Sequence, residues 1–194
     1  MIVQNMFSQI LDKRFKTLFN SNKEKETEFH RFSIIKEFLN KKNFNGFTSN
    51  DLFIMQFIKK GWGHDIAALS NMAEALVSLS IKNPTNLQYK YLMKEVVQRA
   101  VHPKVNPYKK KIDSIKYLGK YGYYLEHLNI ILGCYLRIVD DRYIRLNTKV
   151  SHHLLSCSMA KKDYHADLLP YVKMKWSADQ AAIIYSLWLF DQNN

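Results

Sequence analysis

A chain of 194 residues is long enough for one domain with a sizeable buried core. Its apolar fraction of 47% and aromatic fraction of 13% exclude a disordered polypeptide, and six Gly with four Pro are too few for a turn-rich β sandwich or barrel. Twenty-nine basic against seventeen acidic residues leave a formal charge of +12. The lysines are spread along most of the chain, so that excess reads as composition before it reads as a polyanion site.

In chain order, the first two helices are expected over about residues 2–19 and 24–40. The second carries Phe29, Phe32, Ile35, Phe38 and Leu39 as an apolar stripe. Lys13, Arg14 and Lys16 interrupt the apolar positions of the first, and no small-residue cleavage site follows, so no signal peptide is read there. A polar connection from Asn40 to Thr48 leads to a short helix ending near Lys60. Residues 1–60 are thus expected as an N-terminal helical extension, packed with residues 61–194 as one domain.

From residue 61 the pattern changes. Residues 65–81 are apolar nearly all round, as expected of a buried helix. Residues 85–101 keep Leu87, Tyr91, Leu92, Val96 and Val97 on one side and Lys90, Lys94, Gln98 and Arg99 on the other, an amphipathic outer helix. The alternation then repeats. Residues 123–139 carry little charge in their interior, Asp140-Asp141 marks a turn, and an amphipathic helix runs to about Ser158. Residues 178–190 are again almost wholly apolar and are expected to be buried. The fold class is therefore all-α, as stacked α-hairpins with buried inner and amphipathic outer helices and a period of about 54–60 residues.

The longer connections, residues 102–110 and 160–176, hold prolines and are of a length that more often serves function than mere connection. Cys134 falls inside an apolar helix as a small hydrophobe, and it and Cys157 show no CxxC spacing, so neither a disulfide framework nor a cysteine metal site is expected. No HExxH, Walker loop, GxSxG or GxGxxG occurs, and no cofactor is implied. No run approaches the roughly 18 uncharged apolar residues of a membrane-spanning helix, and a cytoplasmic location is the default expectation.

Three inner helices begin alike. An aromatic is followed three residues later by an acid: Trp62 and Asp65, Tyr123 and Glu126, Trp176 and Asp179. If the hairpins stack in parallel register, these starts share one face. Asp65, Glu126 and Asp179 are then candidate catalytic acids, because carboxylates in an apolar cleft can take different pKa values and divide acid and base roles. Trp62, His64, Tyr123, Tyr124, His127 and Trp176 are candidate substrate-binding groups, the rings suiting a sugar or terpenoid and the imidazoles able to move a proton. An acid in the first turn of a helix is also stabilised by the helix dipole, and Ser177 with Gln180 fits a capping box, so a purely structural role stands beside the catalytic one. His152-His153 fits a solvated helix face, while His102 and His165 lie in connections near the expected cleft. The tyrosines at 121–124 near Lys111, Lys116 and Lys120 could contact nucleic acid, but no RNP-type or helix-turn-helix pattern accompanies them.

The segments GWGHDIAALSNMAEAL, YGYYLEHLNIILGCY and KWSADQAAIIYSLWLFD resemble the inner-helix starts of (α/α)-toroid proteins. These are the six-hairpin barrels of glycoside hydrolases, sugar epimerases and linalool dehydratase-isomerase-like proteins. The resemblance covers roughly residues 61–194. It implies a substrate cleft at the inner helix N-termini, on Asp65, Glu126 and Asp179, and acid–base chemistry on a carbohydrate or isoprenoid-like substrate. The chain supplies too few helices to close such a ring, so the expectation is an incomplete barrel. Apolar surface near Ile183, Leu187 and Trp188 would then be covered by self-association or by further C-terminal residues. The alternative is a non-catalytic helical-repeat module that binds a partner protein through its concave face.

Overall fold

The computed structural model describes residues 64–161 apart from Lys104 and Lys120, residues 177–194, and Phe29, His30, Phe32, Ser33, Ile35, Lys36 and Leu39. The chain divides into two compact units, Met1–Asn40 and Lys41–Asn194. In the first unit the described residues are helical, with Ile35 and Leu39 buried. Phe29 is exposed, so the apolar stripe expected there does not extend to it. The expected short helix before Lys60, and the expected boundary at that point, lie outside the described residues.

The described part of the second unit is all-α, with five packed helices and no strand. These are α1 (His64–Lys82), α2 (Gln88–Val101), α3 (Gly122–Ile138), α4 (Ile144–Lys161) and α5 (Ser177–Gln192). Local chemistry sets the boundaries. Beyond α1, Pro84 cannot continue the helical ladder, and the Asn83 N–H closes the last turn on the Leu79 carbonyl. The Asn86 side-chain oxygen then accepts the Gln88 N–H at 3.1 Å and turns the chain into α2. At the end of α2, His102 precedes Pro103 and adopts ψ 137°, the extended conformation that proline imposes on its predecessor. Asp140 organises the next corner: its carboxylate accepts the Tyr135 hydroxyl at 2.9 Å and the Arg142 N–H at 3.1 Å.

Helix α3 is the hub and packs against each of the other four. Leu125, Leu128, Ile131 and Leu132 on it are fully buried, each contributing on the order of 2 kcal/mol through removal from water. Side-chain contacts give the helix directions. Ser70 meets His127 and, further along, Glu74 is near enough to Cys134 to act on its thiol, while Asn129 meets Ser186 and Asn193 meets Gly133, so α1, α3 and α5 run parallel. Tyr124 meets Ala100 and Lys94 acts on the charge of Asp140 beyond the far end of α3, and Asn129 meets Asn147 while Tyr135 meets Tyr143, so α2 and α4 run antiparallel to α3. The three helices expected to be inner therefore start at the same end. Among the described residues α3 lies between α1 and α5, which contact each other far less than either contacts α3, so these helices form a row and no ring is shown.

Two of the expected faces are corrected. Leu87 and Tyr91 are exposed at 70% and 63%, and α2 buries Tyr89, Leu92, Met93, Val96, Val97 and Ala100 instead. The latter set recurs every three to four residues and makes one stripe, from which position 91 is turned away. Helix α5 is apolar on both sides, yet only one side is covered. Ile183, Ser186 and Leu189 are buried, while Ile184, Tyr185 and Trp188 are 55%, 37% and 49% exposed. The apolar surface expected near Ile183 thus excludes Ile183 itself, which is fully packed, and runs along the Ile184–Trp188 face. Cys134 is buried, as its apolar surroundings in the sequence imply.

Candidate functional site

The most chemically loaded cluster lies where α1 and α3 cross near their N-terminal ends. Tyr123, Glu126 and His127 occupy the first turns of α3, with i, i+3 and i+4 spacing that sets Tyr123 on the same side as the two ionisable groups. The Tyr123 ring meets the His127 ring edge-on with centroids 4.7 Å apart. Across the helix interface, the His127 Nδ1 lies 2.8 Å from the Ser70 hydroxyl of α1. The same hydroxyl donates to the Ala67 carbonyl at 2.8 Å. The His127 Nε2 faces the Glu126 Oε1 at 3.8 Å, an ion-pair separation. Ser70 and Glu126 are 1% exposed and the His127 side chain 15%.

Glu126 lies four residues beyond Gly122, the first residue of α3. A cap sits at the solvent edge of the first turn, whereas the Glu126 side chain is buried. Such a group is held in the interior only with polar or charged neighbours, and the His127 imidazole is one of them. A buried acid beside an imidazole, reachable along the partly exposed His127 edge, can bind a polar ligand group and exchange a proton with it.

The other expected site residues fall as follows. Asp65 lies in the first turn of α1 and Asp179 in that of α5, at the same end as Glu126. The register of the Ser70–His127 and Asn129–Ser186 contacts sets both aspartate backbones level with the first residues of α3. Glu126 is about one turn deeper, on the order of 6 Å along the axis. The side chains of His64, Asp65 and Asp179, and the residues Trp62, Trp176 and His165, lie outside the described set. Tyr124 is 5% exposed, and its hydroxyl donates to the Ala100 carbonyl at the end of α2, so it pins two helices together. Burial raises its phenol pKa, and nearby Tyr108 raises it further. His102 is half-buried at the end of α2. On α4, His152 is exposed, while His153 is half-buried with its Nε2 3.6 Å from the Cys157 sulfur, and burial lowers its pKa.

A second polar group was not marked by the sequence patterns. Asn129 of α3 donates to Ser151 of α4 at 2.9 Å and to Ser186 of α5 at 3.1 Å, and its carbonyl accepts from Asn147 at 2.7 Å and from Ser151 at 3.0 Å. All four residues are buried. The signal that marks them, and Ser70 too, is a small polar residue inside an otherwise apolar helix face. Hydrophobic periodicity alone passes over it.

Among the described residues no group of three His, Cys, Asp or Glu side chains is placed to hold a metal ion, and no helix is long and apolar enough to cross a membrane. No family model, known protein or solved structure shows significant similarity to the chain.

Proposed function

We propose that the N-terminal end of the α1–α3–α5 row is a ligand site, with Glu126 and His127 as its proton-exchanging pair and Tyr123 as its aromatic edge. The single observation that carries this reading is the buried Glu126 carboxylate held 3.8 Å from the His127 imidazole, inside an apolar helix interface. The likeness to (α/α)-toroid proteins supports it from the sequence side, because those proteins bind substrate at the matching helix ends. On that likeness the ligand is a carbohydrate or an isoprenoid-like molecule, and the chemistry is acid–base catalysis with Glu126 as the central acid and Asp65 and Asp179 as candidate partners.

The test is a thermal-shift and calorimetric screen of the whole chain against monosaccharides, disaccharides and short prenyl alcohols, repeated with Glu126→Gln and Asp179→Asn. Ligand-dependent stabilisation that both folded variants lose is the expected result. Equal binding by wild type and both variants would remove the site from consideration.

One observation favours a second reading, a non-catalytic repeat module that binds a protein partner. Ile184, Tyr185 and Trp188 form an exposed apolar stripe on α5, with the Tyr185 and Trp188 rings stacked at 5.8 Å. A second copy of the chain is the first partner to test, by sedimentation of wild type and of Ile184→Ser/Trp188→Ser over a range of concentrations. Monomeric wild type at every concentration would count against that form of the reading.

A further inference from the structure

We infer that Ser70 is a positioning residue that holds His127 as its Nδ1–H tautomer, so that Nε2 is the nitrogen that exchanges protons with Glu126 and with a bound ligand. A serine hydroxyl has one proton to give and two lone pairs with which to accept. The Ser70 Oγ lies 2.8 Å from two groups at once, the Ala67 carbonyl oxygen and the His127 Nδ1. A carbonyl can only accept, so the hydroxyl proton belongs on the Ala67 side. Were it turned toward the imidazole, two oxygens bearing only lone pairs would face each other at 2.8 Å in a place closed to water, since Ser70 is 1% exposed. The His127 Nδ1 must therefore carry its own proton and donate it to Ser70.

The consequence follows on the other side of the ring. With Nδ1 protonated, the neutral imidazole presents a lone pair at Nε2, and that atom faces the Glu126 Oε1. Nε2 and Oε1 share one further proton, as an ion pair or a neutral acid–base pair, so this contact too avoids two facing lone pairs. Ser70 thus aims the exchangeable nitrogen at the carboxylate from the neighbouring helix, much as an orienting group does in the general triad arrangement. Its own hydroxyl is occupied by the Ala67 carbonyl and the imidazole, so Ser70 is not a nucleophile here.

The functional consequence rests on the ligand site proposed above, whereas the tautomer is read on ligand-free protein, so the two can fail separately. The experiment is a long-range proton–nitrogen correlation spectrum of uniformly 15N-labelled whole chain, at a pH where the imidazole is neutral, with His127 assigned by its absence in His127→Gln. The expected spectrum shows a protonated Nδ1 and an unprotonated Nε2, and in Ser70→Ala the pattern shifts toward the Nε2–H form. An Nε2–H tautomer in the wild type would overturn the inference, and so would a Ser70→Ala spectrum unchanged from wild type. Should Ser70→Ala fail to fold, the wild-type spectrum alone decides.

Discussion

The Ser70 hydroxyl and the His127 Nδ1 meet at 2.8 Å across α1 and α3, 57 residues apart in the chain, and the Asn129–Ser186 bond repeats that separation across α3 and α5. Two parallel helix pairs are thus each joined by a polar side-chain contact at the same separation in the chain. The energetic coupling across the first contact is measurable. A double-mutant cycle with Ser70→Ala and His127→Phe should give an interaction energy of about 1 kcal/mol in urea denaturation. Strict additivity of the two single changes would show that the contact contributes nothing to the packing of α1 on α3.

Asn129 should be the most costly polar residue to remove. Asn129→Leu removes the side-chain partner that Asn147, Ser151 and Ser186 share in a closed interior, leaving Asn147 its 3.5 Å bond to the main-chain carbonyl of residue 129 and Ser186 its bond to the Ile183 carbonyl. The expected loss is about 3–5 kcal/mol of unfolding free energy, well above the typical single substitution. Chemical denaturation followed by circular dichroism reads it. A loss below about 1 kcal/mol would mean that the network does not hold the three helices.

Gly133→Ala sets helix propensity against packing. Alanine in a helix interior ordinarily stabilises by about 1 kcal/mol relative to glycine. At Gly133 the added methyl would lie 3.1 Å from the Leu189 Cβ of α5, an atom fixed close to its own backbone. Helices α3 and α5 would have to move apart, and the Asn193 side chain, which donates to the Gly133 carbonyl at 2.9 Å, would move with them. The expected outcome is a net destabilisation of about 1 kcal/mol. A gain in melting temperature would show that α5 sits more loosely on α3 than these distances require.

Burial pushes the Cys134 thiol from its ordinary 9.0 up to about 12, with the charge of Glu74 adding to the effect. The folded state thus favours the neutral thiol. The resulting stabilisation is fully present below pH 9, where the unfolded thiol is also protonated, and is lost as pH rises from 9 toward 12. Stability of wild type minus that of Cys134→Ala should fall across this interval and be flat below it. Using the difference removes the burial part of the parallel contribution of Tyr185, whose phenol is also pushed up to about 12, first by burial and further by the charges of Glu74 and of Cys134 itself. A flat difference through pH 11 would contradict the burial of this sulfur, since about two thirds of the shift is spanned by then.

Much of this architecture was legible in the pattern of apolar residues. The near-continuous apolar runs at 65–81, 123–139 and 178–190 appear as α1, α3 and α5, and the lysine-faced segments between them as α2 and α4. Asn83-Pro84 and Asp140-Asp141 mark the corners they suggest. Periodicity specifies such helices because each must bury one stripe, and proline and aspartate act on the backbone locally.

Tertiary structure decided which stripe is covered, and what the polar residues do. Leu87 and Tyr91 look like core in a linear reading, yet the partner helices leave them in solvent. Helix α5 has no sequence asymmetry from which to tell its packed face from the Ile184–Trp188 face. Tyr124 belongs to an aromatic cluster in sequence but spends its hydroxyl on the Ala100 carbonyl. Glu126 could be read equally as a first-turn acid or as a functional group, and its burial beside His127 is visible only in the packed structure. Ser70 and Asn129 acquire their roles from partners 57 residues away, a distance at which local propensity carries no information. The chain's own pattern determined an all-α fold and the extents of its helices. Where those helices touch brings Glu126, His127 and Ser70 together, because desolvation and hydrogen bonding across a helix interface exist only once the helices are packed.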